Sequence, residues 1–525
     1  KGYEVDILVS KAHEELLNTG HIPFEVPSAV KFLVMPSRRA RYNISFIHSY
    51  IRTATVDAVV VMNSAYLCAL ALASIGLRHK TRYCYVEHNS ILPELADNIS
   101  ITKRIINKLI RSRYDCFMSV SKGSCALLER LMGLNEGTVK AVYNPVLDTS
   151  YYDKFTCIAD RCPITCCQEW KISVDDHTNN CWKKLAPPTD TIPAKTRLSA
   201  YTTFKDGTRV IALDQNHRCP FLSENKLCKL VLEHGDQVLS ETCQVFPRET
   251  HTFDTHEEQS LMPCCPAVID LWRNCETLHF PKVSDLCSPA ASDALLFPLR
   301  SRLIALIQRP DRTPSQALME CFYILRELYH QDNWDTGTLE DYFSEQTLSE
   351  LHEAVLSAVP ALEDTIIEDN EILQDLAVNY QKEGLYQSYL TPVLAQAERL
   401  ANAYGTAALS DQWKNFNHVW EEFHPLLKNV LANELFSDLL IPGGDLESMI
   451  IQMQWLALEY AAVRQSLFLT WLEHGNEKLP YENVRDYLVI IMRMTGYDED
   501  DIYEYLENSF EELVWEWGYF ALVVC

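Results

Sequence analysis

YYDKFTCIADRCPITCCQEWKISVD, residues Tyr151–Asp175, is the stretch around which the chain divides. It sets Cys157, Cys162, Cys166 and Cys167 close together, and Cys219, Cys228, Cys243, Cys264 and Cys265 follow. Ten of the 109 residues from Cys157 to Cys265 are cysteine, a density expected of thiolates that converge on a metal or an iron–sulfur cluster. Pro163, Pro187, Pro188, Pro220, Pro247, Pro263 and Pro266 punctuate the same region. Loops pinned by metal–thiolate bonds are therefore expected over residues 150–285, rather than a sheet or bundle that stands alone.

On the N-terminal side, Val-rich strands alternate with amphipathic helices. Strands are predicted at Glu4–Val9, Val30–Met35, Val56–Met62, Thr81–Glu87, Cys116–Val120 and Thr138–Tyr143. Helices are predicted at Arg39–Thr53, Ala65–Ile75, Ile101–Arg111 and Lys122–Met132, the last with Ser121 as its N-cap. The alternation argues for a doubly wound parallel sheet. On the C-terminal side, apolar residues recur at three- and four-residue steps in Leu303–Ile307, Met319–Leu328, Leu351–Val359, Leu385–Ala401, Trp420–Leu440, Met449–Leu472 and Tyr487–Met494. That is the pattern of helices throughout, broken at Pro360, Pro442-Gly443-Gly444 and Gly475.

The chain has 525 residues, enough for two or three domains with real cores. Its net charge of -26 is unevenly spread. Residues 1–150 carry 18 Lys+Arg against 13 Asp+Glu, a net of +5; the remaining 375 carry 28 against 59, a net of -31. The acidic part should repel nucleic acid and attract basic protein surfaces, so no nucleic-acid partner is expected. The longest apolar run, Tyr66–Leu77, is too short to span a bilayer, and no transmembrane segment is expected. No signal peptide is visible, although the chain starts at Lys1 rather than Met and so leaves room for a leader ahead of it. The expected location is the cytoplasm, where clustered cysteines favour metal over disulfide.

Two resemblances follow from quoted motifs. "GYEVDILVS" near the start, "VEHN" at Val86–Asn89, "SVSKG" at Ser119–Gly123 and "VYNPV" at Val142–Val146 resemble the N-terminal half of a family-four glycosyltransferase of the two-Rossmann-domain (GT-B) type. The second Rossmann domain that such enzymes use for the nucleotide-sugar does not follow, so the resemblance implies a truncated half-domain over residues 1–147. The cysteine region resembles the flagellin lysine N-methylases of the FliB family, with their CxxxCxxCC-type cluster. The match runs through Tyr151–Asp175, "CPFLSENKLCKL" at Cys219–Leu230, "ETCQVFPRET" at Glu241–Thr250 and Cys265-Pro266. It implies one methylase unit over about residues 150–525. The expected architecture is thus multidomain: an α/β Rossmann-like half-domain, then a cysteine-rich loop and helix region (150–285) packed on an irregular all-α domain (286–525).

Residue by residue, the methylase resemblance implies metal ligands at Cys157, Cys162, Cys166, Cys167, Cys219, Cys228, Cys243 and Cys265. It also implies an iron–sulfur cluster of the four-iron kind, S-adenosylmethionine as donor and flagellin lysines as substrate. Trp170, Asp175, Pro247 and Arg248 match family positions without an assigned role. Eight thiols could serve two clusters, or one cluster plus structural thiols, and the adjacent Cys166 and Cys167 are expected to diverge. Zinc is the competing metal, but its usual CxxC pairs are missing. The usual radical CxxxCxxC spacing is missing too. Cys181, Cys264, Cys275, Cys287, Cys321, Cys525 and the sheet cysteines Cys68, Cys84, Cys116 and Cys125 read as inert thiols. Glu421-Glu422 and Asp498–Asp501 read as solvated faces, and Trp455, Tyr460, Phe468 and Trp471 as helical core. A catalytic base and a donor site cannot be placed from spacing. Lysine methylation demands a neutral amine, whereas free lysine has a pKa of about 10.4. The rival readings are a non-catalytic zinc- or iron-binding protein and a remnant sugar transferase.

Overall fold

The computed structural model describes residues 5–9, 30–54, 56–61, 64–77, 81–87, 101–119, 122–135, 137–141, 146–205, 207–253, 256–281, 295–331, 333–358, 360–401, 407–475, 478–496, 499–510 and 515–525. Ser121, the His88-Asn89 part of "VEHN", most of "VYNPV", Cys287 and Asp498 lie outside them. The chain forms two units, one built mainly on Lys1–Val146 and the other on Leu147–Phe253, Glu258–Val283 and Leu295–Cys525.

In the first unit the strands are β1 (Val5–Val9), β2 (Val30–Val34), β3 (Ala58–Val61), β4 (Arg82–Glu87), β5 (Cys116–Ser119) and β6 (Lys140–Ala141). The helices are α1 (Ile44–Thr53), α2 (Ser64–Ala73), α3 (Ile101–Arg111) and α4 (Lys122–Met132). Every pairing is parallel, which requires a crossover between successive strands. The described pairing gives a four-stranded sheet in the order β3-β4-β5-β6 and a separate β1-β2 pair. The expected doubly wound sheet is therefore seen among the described residues as two parallel pieces. Tyr83, Tyr85, Phe117 and Leu128 fill the core of this unit.

The second unit opens with small elements: β7 (Val146–Asp148), α5 (Asp176–Trp182), β8 (Thr202–Lys205), β9 (Thr208–Ile211), α6 (Lys229–His234), α7 (Glu241–Val245), β10 (Arg248–Thr252), β11 (Glu257–Leu261) and α8 (Pro266–Arg273). β8 and β9 form a hairpin, and β10, β11 and β7 make a three-stranded sheet in that order. A small core of Trp182, Leu198, Tyr201 and Phe221 sits under the cysteine loops. Trp182 and Phe221 are fully buried, their rings edge to face at 5.8 Å.

Helices follow to the end: α9 (Leu296–Ile307), α10 (Pro314–Tyr329), α11 (Thr336–Tyr342), α12 (Glu345–Ser357), α13 (Leu362–Glu383), α14 (Gln387–Ala401), α15 (Ala407–Trp420), α16 (His424–Ser437), α17 (Leu446–Glu473), α18 (Tyr481–Met494), α19 (Glu499–Phe510) and α20 (Trp517–Val524). α17 is apolar on nearly every face and is buried from Met449 to Trp471, because α10, α13, α14, α18, α19 and α20 surround it. Trp455, Tyr460, Phe468 and Trp471 are core residues, as their spacing suggests. Arg464 of α17 meets Asp369 of α13 at 2.7 Å and donates to the carbonyls of Val523 (3.0 Å) and Val524 (2.7 Å), which fixes the last helix. The helical stretch predicted over Trp420–Leu440 holds α16 and the turn that leads into it. α15 ends at Trp420, a single turn follows at Glu421–Phe423, and Pro425 starts α16, since proline lacks the N–H a helix interior needs. Among the described residues, no helix is long and apolar enough to cross a membrane.

Candidate metal centre

Turns, rather than regular elements, present the cysteines. A single helical turn at Ala159–Arg161 separates Cys157 from Cys162, whose thiol donates to the Ile164 carbonyl at 3.2 Å. The chain then runs beside a second segment. The Cys219 amide donates to the Cys167 carbonyl (2.8 Å) and the Glu169 amide to the His217 carbonyl (2.8 Å). Asp214 holds the approach to Cys219, accepting from the amides of Asn216 (2.8 Å) and Arg218 (2.9 Å). Cys228 caps α6, Cys243 lies within α7, and Cys265 precedes Pro266 at the start of α8.

These segments bring the eight predicted sulfurs into one electrostatically linked set. Cys162 feels Cys166 and Cys157. Cys167 feels Cys166, Cys219 and Cys243, and Cys219 feels Cys243, Cys228 and Cys166. Cys265 feels Cys162 and Cys166. Cys157 lies at the exposed edge, while Cys219 and Cys265 are buried. Cys166 and Cys167 share one turn. The interaction between the two thiols, aided at Cys166 by the Arg493 guanidinium against the effect of burial, lowers Cys166 and raises Cys167. Burial pushes Cys162 and Cys243 up to about 11 and Cys265 up to about 12. A buried thiol stays protonated until a cation replaces its proton, and a bound metal reverses this preference. The donor set thus suits a thiolate-bound metal group. No three of the sulfurs, however, lie within 4.8 Å of one another. A single zinc with bonds of about 2.3 Å would draw its thiolates to about 3.8 Å apart.

The helical part of this unit holds the loops in place. Arg493 of α18 is buried and donates to the carbonyls of Cys264 (3.0 Å), Ile164 (3.1 Å) and Thr165 (3.2 Å). Its guanidinium lies 4.9 Å from the centre of the Trp170 ring. Tyr386 donates through its hydroxyl to the Glu169 carbonyl (2.7 Å) and through its amide to the Glu169 carboxylate (2.9 Å). Sequence reasoning passed over Arg493, although one arginine in the apolar run YLVIIMRM signals a buried partner. Backbone strain collects here too. Six described non-glycine residues have positive φ, and Ala159, Glu169, His217, Lys226 and Tyr386 are among them, on the cysteine loops or bonded to them.

The four unassigned positions gain structural roles. Trp170 packs against Phe246, the rings tilted with centres 5.5 Å apart, and lies under Arg493. Asp175 caps α5 through the Thr178 amide (2.8 Å) and accepts from the Glu241 amide (3.1 Å), tying α7 and its Cys243 to α5. Pro247 follows a cis peptide and accepts from the Met262 amide at 2.9 Å. Arg248 covers the rings of Tyr152 (5.5 Å) and Phe155 (5.2 Å). The off-pattern cysteines sit elsewhere or in apolar packing: Cys181 is exposed, Cys321 is buried, and Cys525 contacts the Met319 sulfur at 3.6 Å. Cys264 lies beside Cys265 but faces Arg493 and the carboxylates of Glu434 and Glu249.

Comparison with known proteins separates the two ends of the chain. Residues 1–149 match the Glycosyltransferase Family 4 model. No solved structure matches the chain. A curated lysine-N-methylase of Salmonella typhimurium is 27% identical over 172 residues, covering 31% of this chain and 40% of the relative. A flagellar biosynthetic protein, FliU, of Salmonella muenchen is 28% identical over 143 residues, covering 23% of this chain and 73% of the relative. The chain therefore spans about 40% of the length of the curated methylase it matches. Residues 300–523, within the helical part that anchors the cysteine loops, match the model of the FliB lysine N-methylase C-terminal domain.

Proposed function

We propose that this chain methylates lysine side chains of flagellin, with S-adenosylmethionine as donor and an iron–sulfur cluster held by Cys157, Cys162, Cys166, Cys167, Cys219, Cys228, Cys243 and Cys265. The observation that carries the reading is the gathering of these eight thiols on a helical frame that matches the methylase model. The names of the Salmonella relatives point to lysine and to the flagellum. The spread of the thiols favours a multi-iron cluster, in which each thiolate takes its own iron, over one zinc. Bound there, the cluster would pin the loops and supply redox-active iron. The chain's own residues do the rest. Arg493 orients Ile164 and Thr165, and with them Cys162 and Cys166. Burial of Cys219 and Cys265 keeps water from their sulfurs. The net charge of -31 beyond residue 150 draws basic substrate segments, and a desolvated entrance would release the ammonium proton.

The test is anaerobic incubation of the full chain with donor and flagellin, followed by mass analysis of the lysines. A methyl gain on lysine supports the reading; no gain from protein with full iron and sulfide content overturns it. A colourless, zinc-loaded protein would favour a non-catalytic metal-binding role. The match of residues 1–149 supports a retained sugar-transferase half-domain, and saturable binding of a nucleotide-sugar to the full chain would give it a function.

A further inference from the structure

A second set of ligand-type side chains lies in the same unit and contains no sulfur. Glu249 and His251 alternate along β10, so both side chains leave the same face of the strand. Asp438 immediately follows α16. One ligand atom from each of Glu249, His251 and Asp438 falls within 4.8 Å of the other two. The His251 Nε2 atom is shut off from solvent and has no hydrogen-bond partner. It stands 3.5 Å from a Glu249 oxygen, long for a hydrogen bond. Nitrogen and oxygen ligands about 2.0–2.2 Å from one tetrahedral ion stand about 3.4 Å apart, so the observed separation leaves room for a shared cation.

Charge points the same way. Glu434 lies one helical turn before Asp438, and Glu459 of α17 is close to both. Four carboxylates thus face one another in the interior, and among the described residues none has an arginine or lysine ion-pair partner. The adjacent Arg300 is already committed to Glu258, at 2.6 and 2.8 Å, and to the Phe436 carbonyl at 2.9 Å. Crowding four carboxyl groups together in the interior is costly, and a divalent ion would relieve it.

We propose that Glu249, His251 and Asp438 form a binding site for a divalent transition metal, separate from the thiols, with Glu434 near enough to complete the ligand shell. The proposal does not rest on methyl transfer. Imidazole with carboxylates suits manganese, iron or zinc, and manganese is the useful probe because thiolates hold it poorly. Mn(II) titrated into the chelator-treated full chain, followed by electron paramagnetic resonance, should saturate at one tight site per chain. His251→Ala and Asp438→Asn should each weaken binding by at least about tenfold, and Asp438→Glu should restore part of it. Glu276→Gln, an exposed acid elsewhere, should bind as the parent does. Absence of saturable binding by the folded parent chain overturns the proposal, as does parental affinity in both ligand variants. Should circular dichroism show that either variant is unfolded, Glu249→Gln takes its place under the same criterion.

Discussion

Cysteines occur in both units, yet they meet different fates. In the first unit, Cys84 and Cys116 sit on neighbouring parallel strands, as direct register partners. The sheet dictates that meeting, and it joins two thiols only. In the second unit the thiols come from turns, caps and short helices, and eight form one set. Regular structure spaces side chains at fixed intervals, whereas loops aim them wherever an outside anchor holds the backbone. Here the anchors are Arg493 of α18 and Tyr386, which immediately precedes α14, both distant in sequence. Convergence of loop thiols is thus a property of the helical frame as much as of the loops.

The contrast can be broken most forcefully at the sulfurs. Cys219→Ser should remove nearly all bound iron and sulfide, and Cys84→Ser none, as measured by iron and sulfide per chain. Equal losses would erase the distinction between the two groups of cysteines. Next in size is the anchor. Arg493→Leu leaves the carbonyls of Cys264, Ile164 and Thr165 without their donor, and should cost about 3 kcal/mol in urea unfolding together with a loss of iron. Stability lost with iron content unchanged would mean that the loops hold themselves. A smaller effect is expected from Asp175→Ala, which removes the cap of α5 and the link to Glu241; about 1 kcal/mol is expected from the cap. An unchanged urea midpoint would show that Cys243 needs no such tether.

The last comparison sets the helical frame against the loops by pH. Burial lowers His424 on α16 to about 4 from 6.5. The unfolded chain takes up the proton first, so stability should fall as the pH drops from 6.5 towards 4 and level off below. His424→Gln should flatten that part of the profile in thermal unfolding. An identical slope in the variant would place the pH sensitivity elsewhere.

Much of the fold was legible in advance, for reasons tied to particular residues. The strands of the first unit, such as VDILV and RYCYVE, have a period and composition that only a buried parallel sheet uses well. The helices were visible from their apolar spacing. The eight cysteines stood out through density and resemblance. Arg493, Tyr386 and Asp438 did not, since each acts on a segment far away in sequence.

Local chemistry, then, settled by itself which segments are strands and helices. Side-chain period and turn-forming residues act over a few neighbours and need no knowledge of the rest of the chain. Only the tertiary structure decided that an arginine more than 320 residues from Ile164 holds its carbonyl, and that Glu249 and His251 face Asp438. Those relations depend on where helices pack against loops, and packing is set by the whole core at once.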